Sequence, residues 1–305
     1  MLYFIIRRLL WGIPVLLAVA TITFIIMHIV PGGPFDKEKK LPPEIKANIE
    51  AKYHLDRPVY EQYLLYIYGL SRGDLGPSYK YLGRDVNDIV KESLPVSVQL
   101  GLLALIISML LGVSTGIISA IRPGSVADRI SILFAVGGIS IPNFVLAALL
   151  VLIFAHTYKI LPPALWEGPR YMILPALSLG LGPAAYIARL TRSSILDVIN
   201  KDYIRTAKAK GLSEPYIMMR HVLKNAIMPV ITILGPLTAT LVTGSFTIEF
   251  IFSIPGMGRF FITAVTNRDY PLIMGVTLVY ALLIIIANII VDLIYVYIDP
   301  RIRLE

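Results

Sequence analysis

The chain has 305 residues, of which 56% are hydrophobic and only 16% charged, with 28 Lys+Arg against 20 Asp+Glu for a formal net charge of +8. An average soluble domain is about 25% charged, so with a mean hydropathy of +0.72 a single water-soluble core is excluded. The lack of cysteine in the sequence excludes a disulfide framework, a thiol nucleophile and any Cys-ligated zinc or iron–sulfur centre within this chain.

A hydrocarbon core about 30 Å thick takes roughly 20 apolar residues of helix at 1.5 Å per residue. Six charge-free runs meet or approach that length: Leu9–Val30, Leu94–Ile121, Ile130–Ala155, Tyr171–Ala188, Ala226–Ile248 and Pro271–Val291. The pattern is that of an all-α integral membrane protein with six transmembrane helices. Three regions follow: residues 1–30 as tail and first span, 31–93 as an external loop, and 94–305 as a core with five spans and a basic loop at 189–225.

Arg7 and Arg8 precede the first run, and Ala18-Val19-Ala20 has the small-residue pattern of a cleavage site. Signal-peptide apolar regions are about 7–15 residues long, whereas this one continues to Val30, so it reads as an uncleaved span. Pro31-Gly32-Gly33-Pro34 then ends the helix. In the loop, Ile45, Ile49 and Tyr53 recur at four-residue spacing after Pro42-Pro43, and Tyr60, Leu64 and Ile67 repeat the pattern after Pro58, which predicts two short amphipathic helices. A third, from Arg84 to Glu92, groups Val86, Ile89 and Val90 and leads into the second span. These helices form either a packed cap over the helix ends or a docking surface for an external partner.

The later spans contain Gly112, Gly116, Gly137-Gly138, Pro142, Pro175, Gly180, Gly182-Pro183, Pro229 and Gly235-Pro236. Small residues let helices approach closely in lipid and proline interrupts the backbone ladder, so the bundle is expected to pack tightly yet bend. Gly112-Val113-Ser114-Thr115-Gly116 matches the G-x-S-x-G nucleophile pattern, but that motif works on a sharp strand-to-helix turn. Placed mid-span, it reads as a packing motif. His28, His54, His156 and His221 are scattered, and neither an H-E-x-x-H pair nor a G-x-x-x-x-G-K-[ST] phosphate loop occurs. The chain has no catalytic constellation and cannot by itself cradle ATP.

An even number of spans puts both termini on one side. With that side internal, the internal segments hold 14 Lys/Arg against 7 Asp/Glu and the external ones 14 against 13, as the positive-inside rule requires. The densest internal segment is the loop from Arg189 to Met228. Ile195, Val198 and Ile199 share a helical face, Arg205 to Lys210 form a basic turn ended by Gly211, and Pro215 to Val222 form a helix after Ser213-Glu214. This is a compact helix-turn-helix hairpin. Flanking spans rule out a DNA reader, so no nucleic-acid partner is expected, while a basic helix lying on anionic lipid remains an alternative.

Arg205-Thr206-Ala207-Lys208-Ala209-Lys210-Gly211 resembles the E-A-A-x-x-x-G coupling motif of binding-protein-dependent ABC importer permeases, in the form used by the dipeptide/oligopeptide branch. Arg205 stands where Glu is usual, Thr206 replaces the first Ala, and the following proline, Pro229, lies farther along. The resemblance extends to Tyr3-Phe4-Ile5-Ile6-Arg7-Arg8-Leu9, Ile29-Val30-Pro31-Gly32, the loop from Leu41 to Leu55, Gly73-Asp74-Leu75-Gly76-Pro77-Ser78, the stretch from Glu249 to Gly258, and Asp299-Pro300-Arg301. It implies a type I ABC importer permease (MetI-like) fold in a bacterial inner membrane, both termini cytoplasmic. The implied partners are a homologous second permease in a heterodimer, two cytoplasmic ATP-binding subunits that hold ATP and Mg, and an external oligopeptide-binding protein. No cofactor or metal is implied in this chain. Oligopeptides are the implied cargo, with dipeptides or nickel as the alternative.

On this reading ATPase coupling falls to Arg205, Thr206, Ala207, Lys208, Ala209, Lys210, Gly211, Leu212, Ser213, Glu214, Pro215 and Tyr216. Leu212, Tyr216, Ile217, Met218 and Met219 are expected to fill a groove on an ATPase, with Gly211 supplying a φ > 0 turn. Polar groups inside spans are functional candidates by default. Thr238, Thr240, Thr243 and Ser245 are candidates to line a pathway for peptide amides. Glu249 reads as an outer gate, a contact for the binding protein or a capping residue. Asp292 reads as a partner for the basic loop or as a gating group.

Overall fold

The computed structural model describes residues 2–35 and 50–298, the side chains of residues 2–5, 291 and 294–298 apart. The predicted helix around Ile45 and Ile49, the motif at Asp299 and the charges at Arg301 and Arg303 lie outside the described residues. In chain order the helices are α1 (Leu2–Ile29), α2 (Val59–Ser71), α3 (Val86–Ile121), α4 (Val126–Ser140), α5 (Asn143–Leu150), α6 (Pro169–Ile199), α7 (Asp202–Ala209), α8 (Glu214–Ile217), α9 (Leu223–Ala226), α10 (Met228–Val242), α11 (Phe246–Ile251), α12 (Met257–Asn267) and α13 (Tyr270–Ile298). A π-helical stretch, Val151–Thr157, continues α5, and another, Met218–Val222, joins α8 to α9.

Among the described residues, five helical stretches are long and apolar enough to cross a membrane: Ile6–Ile29, Val86–Ile121, Pro169–Ile199, Met228–Ile251 and Tyr270–Ile290. The sixth candidate is a bent pair, Val126–Ser140 and Asn143–Thr157, whose axes turn by 113°, a broken span or a re-entrant loop. The third apolar run is therefore not one straight span. Pro142 lacks an N–H, and its ring drives the preceding residue out of the helical region; Ile141 accordingly sits at φ −86°, ψ 122°. The helix expected from Arg84 to Glu92 merges with the second span into 36 residues, and the fourth runs through Arg189 and Arg192 to Ile199.

The chain divides into two compact units, Met1–Val96 with Pro255–Ile285 and Ser97–Ile254 with Ile286–Glu305. In the first, Val86, Ile89 and Val90 of α3 pack with Met257 and Ala264 of α12 and with Leu272, Ile273, Val276 and Tyr280 of α13. The fully buried Asp269 sits just before α13. Its carboxylate accepts from the Ser78 hydroxyl, from the amides of Tyr79 at 3.1 Å and Lys80 at 3.3 Å, and from Leu272 N at 3.4 Å. It thus caps a helix and closes a loop together.

In the second unit, α4 and α5 pack along α6. A Cβ built on Gly112 would stand 2.7 Å from the Ala184 carbonyl oxygen and from Ile187, and one on Gly116 would stand 2.5 Å from Cβ of Thr191. The G-x-S-x-G match is therefore a packing motif between α3 and α6. Asp128, in the first turn of α4, receives both Nε and Nη2 of Arg192 at 2.8 and 3.0 Å, Gly124 N at 2.7 Å and the Ser119 hydroxyl. This fork joins the ends of α3, α4 and α6. Losing the carboxylate leaves the guanidinium without its bidentate acceptor. Asp128→Ala is accordingly expected to lower the melting temperature of the detergent-solubilised protein much more than Arg84→Ala, which cuts the solvent-exposed Arg84–Glu92 pair. Equal losses would remove the fork's structural role.

Candidate coupling site

The basic loop folds as a hairpin over its own small core. Within α7, Ile204 and Ala207 are three residues apart and turn inward, meeting Ile195 of α6, Ala120 of α3, and Ile217, Val222 and Ala226 of the second arm. Asp202 occupies the first turn and Lys208 the last, complementing the helix dipole at both ends. Asn225 Nδ2 donates to Tyr203 Oη at 3.0 Å, tying one arm to the other. Beneath the hairpin lies a cavity of about 380 Å³ bordered by Ile121, Leu196, Ile204 and Met218.

The turn follows from hydrogen bonding. Gly211 N donates to Lys208 O at 2.9 Å and Leu212 N to Ala207 O at 3.4 Å, the paired bonds of a Schellman motif, which needs a left-handed residue at its penultimate position. Gly211 has φ 76°. Ser213 is then extended, and Pro215 sits in the first turn of α8, where its missing N–H costs nothing. The segment from Asp202 to Ala209 is thus helical, not the turn that its basic residues suggested.

Of the twelve predicted coupling residues, Arg205, Thr206, Lys208, Ala209, Lys210, Gly211, Leu212, Ser213, Glu214, Pro215 and Tyr216 are exposed, and Ala207 is buried. Arg205 pairs with Asp202 at 3.5 Å, both in water. Ile217 is buried in the hairpin core and Met218 is half-buried. The apolar edge that faces outward is therefore Leu212, Tyr216 and Met219, flanked by exposed Lys210 and Arg220.

The polar span residues are placed differently. Thr238 Oγ1 donates to Leu234 O at 2.6 Å, Thr240 Oγ1 to Pro236 O at 2.9 Å and Thr243 Oγ1 to Thr240 O at 2.9 Å, so each hydroxyl is bonded within its own segment. Ser245 caps α11, accepting from Ile248 N at 3.3 Å. Glu249 is fully buried on α11, its carboxylate packed against Gly244 at φ 78°. Asp292 is half-buried on α13.

Sequence reading missed the Asp128–Arg192 fork and the Asp269 latch. Ser125-Val126-Ala127-Asp128 has capping-box spacing ahead of an apolar run, and Asp128 N does bond Ser125 Oγ at 3.2 Å; that signal was legible for the cap but not for Arg192. Also unforeseen is a cavity of about 420 Å³ in the first unit, bordered by Tyr53, Gln62, Tyr66, Tyr79 and Tyr270.

The sequence profile of the family described as "Binding-protein-dependent transport system inner membrane component" matches residues 112–304, and its N-terminal companion matches residues 1–101. The chain belongs to that family. This inner membrane component is 48% identical over 290 residues to the dipeptide transport system permease protein DppB of Bacillus subtilis (strain 168), covering 95% of this chain and 94% of that one. It is 46% identical over 305 residues to the oligopeptide transport system permease proteins OppB of Haemophilus influenzae and Escherichia coli (strain K12), covering 99% of this chain and all of theirs. Its fold is similar to the inward-facing MetNI methionine ABC transporter, with TM-score 0.57 at 16% identity over 69% of this chain and 96% of that one. An amino acid ABC transporter structure gives 0.55 at 16% identity over 68% and 93%. The inner membrane component therefore has the type I importer permease fold expected from its sequence.

Proposed function

We propose that this inner membrane component is a permease subunit that moves peptides, oligopeptides or dipeptides, into a bacterial cell by alternating access, driven by ATPase partners. The observation that carries the reading is the hairpin from Asp202 to Ala226, a preformed knob with Leu212, Tyr216 and Met219 exposed over a packed base. Such an edge suits a helix-in-groove contact, and its basic surroundings favour the cytoplasmic side, with both termini there. A homologous second permease completes the translocation path, two ATP-binding subunits supply Mg-ATP hydrolysis, and an external peptide-binding protein delivers cargo. Closure of the ATPase pair then pushes the hairpin as a rigid body and swings the spans between two states. In this scheme residues 1–30 anchor the chain, 31–93 face outward and 94–305 form the moving core.

A Cβ at Gly211 meets no atom within 4 Å, so substitution there acts through the backbone alone. A β-branched residue at φ 76° carries strain of about 1–3 kcal/mol. In the assembled transporter, Gly211→Val is expected to reduce uptake of labelled tri- to pentapeptides and dipeptides and peptide-stimulated ATP hydrolysis together, with membrane insertion unchanged and Gly211→Asn partly restoring both. Unaltered uptake in Gly211→Val would overturn the hairpin's role.

Thr238, Thr240, Thr243, Ser245, Glu249 and Asp292 are proposed along the pathway or its gates. Because the sequence has no native cysteine, single cysteines from Thr238 to Ser245 can be probed directly. Periodic labelling by a water-soluble reagent is the expected result; uniform protection ends the pore-lining idea.

A further inference from the structure

The helix α2 is held against the last turns of α1. Tyr63 Oη and Thr21 Oγ1 are 2.7 Å apart, the Phe24 and Tyr63 rings meet edge-on at 5.2 Å, and Gln62 Oε1 lies 3.3 Å from Nε2 of His28. Thr21 is eight residues before Ile29, where α1 ends, which at 1.5 Å per residue is about 12 Å along the axis. Half of a hydrocarbon core is about 15 Å. α1 spans the membrane, so the Tyr63 hydroxyl reaches down to a level about 12 Å inside the end of α1 while Gln62 meets His28 one residue from that end, and α2 lies alongside the last turns of α1 rather than in the water above it.

The opposite face of α2 is open. Tyr60, Leu64 and Tyr68, four residues apart on one stripe, are 65%, 61% and 56% exposed. One turn farther on, the Arg72 guanidinium sits 4.3 Å from the Tyr68 ring centroid. Ile22, Ile25, Ile26 and Ile29 on the same end of α1 are also exposed, so α2 and this end of α1 both present apolar side chains outward. Tyrosine suits such a level because its ring is apolar and its hydroxyl is wet. Arginine adds a donor fork for phosphate.

We propose that α2 is an interfacial helix bedded in the headgroup layer where α1 leaves the bilayer, with Tyr60, Leu64 and Tyr68 against lipid and Arg72 at the phosphates. The segment is then a membrane-resting collar rather than a free docking face. The test places a nitroxide on Leu64→Cys in the assembled transporter, in vesicles of phosphatidylethanolamine and phosphatidylglycerol, and compares its accessibility to oxygen and to a water-soluble nickel chelate. Tyr60→Cys serves as a second site on the same stripe, and Ile22→Cys as the hydrocarbon reference. The expected oxygen-to-nickel ratio at both α2 sites is severalfold above that of the same label free in buffer and below that at Ile22. A ratio equal to the aqueous label, or exclusion of both reagents by a covering protein, overturns the proposal.

Discussion

Gly101→Ala is expected to be the most damaging single-methyl change in the second unit. A Cβ at Gly101 of α3 would stand 2.6 Å from the carbonyl carbon of Leu241 and 2.7 Å from Cα of Val242, and would overlap the Leu241 oxygen. All three are backbone atoms of α10, so no rotamer change relieves the collision and the helices must separate. Overpacking costs about 1–3 kcal/mol where neighbours can yield; here the loss is expected at or above about 3 kcal/mol, because separation loosens the whole contact between two helices. Gly137→Ala provides the matched control, since a Cβ there meets nothing within 4 Å. Thermal unfolding of the two variants in detergent should differ widely, with Gly137→Ala near the parent. If both melt together, α3 and α10 are not packed at this distance.

The second large effect belongs to the first unit. Asp269→Ala is expected to destabilise it by about 3–4 kcal/mol, because a buried donor left without its acceptor costs about 1–3 kcal/mol and a lost helix cap about 1. The amides of Tyr79 and Lys80 and the Ser78 hydroxyl lose their common acceptor, and α13 loses its cap at Leu272 N. Asp269→Asn keeps one carbonyl oxygen and should fall between. Limited proteolysis in the Gly73–Arg84 loop reads the local opening, and melting temperature reads the whole. Parent-like resistance in Asp269→Ala would show that the loop is held by other contacts.

Much of this architecture was readable because it depends on local pattern. Apolar run length located the crossings, and the basic turn from Arg205 to Lys210 ended by Gly211, followed by a helix from Pro215 to Val222, located the hairpin. Proline was not readable in the same way. Pro175 and Pro183 remain inside α6, whereas Pro142 breaks its helix; α6 is the most buried of the long spans, with α4 and α5 packed along it. The Asp269 latch reaches Ser78 across 191 positions of sequence, beyond any window of periodicity. The family resemblance implied a partner surface for Ile217 and Met218, but Ile217 is buried in the hairpin's own core and Met218 packs partly buried against it.

The elbow at Pro142 also carries a consequence for the surrounding lipid. Each arm has 15 residues and so extends at most about 22 Å, less where Val151–Thr157 is π-helical; deflected by 113°, the two together reach no more than about 25 Å from end to end, short of a typical hydrocarbon thickness of about 30 Å. Where the pair crosses as one broken span, the acyl chains beside it must compress or tilt by several ångströms to meet its polar ends, at a cost of fractions of a kcal/mol per ångström. Such a crossing would dimple the surrounding solvent on one flank, and thin bilayers would then suit the protein better than thick ones.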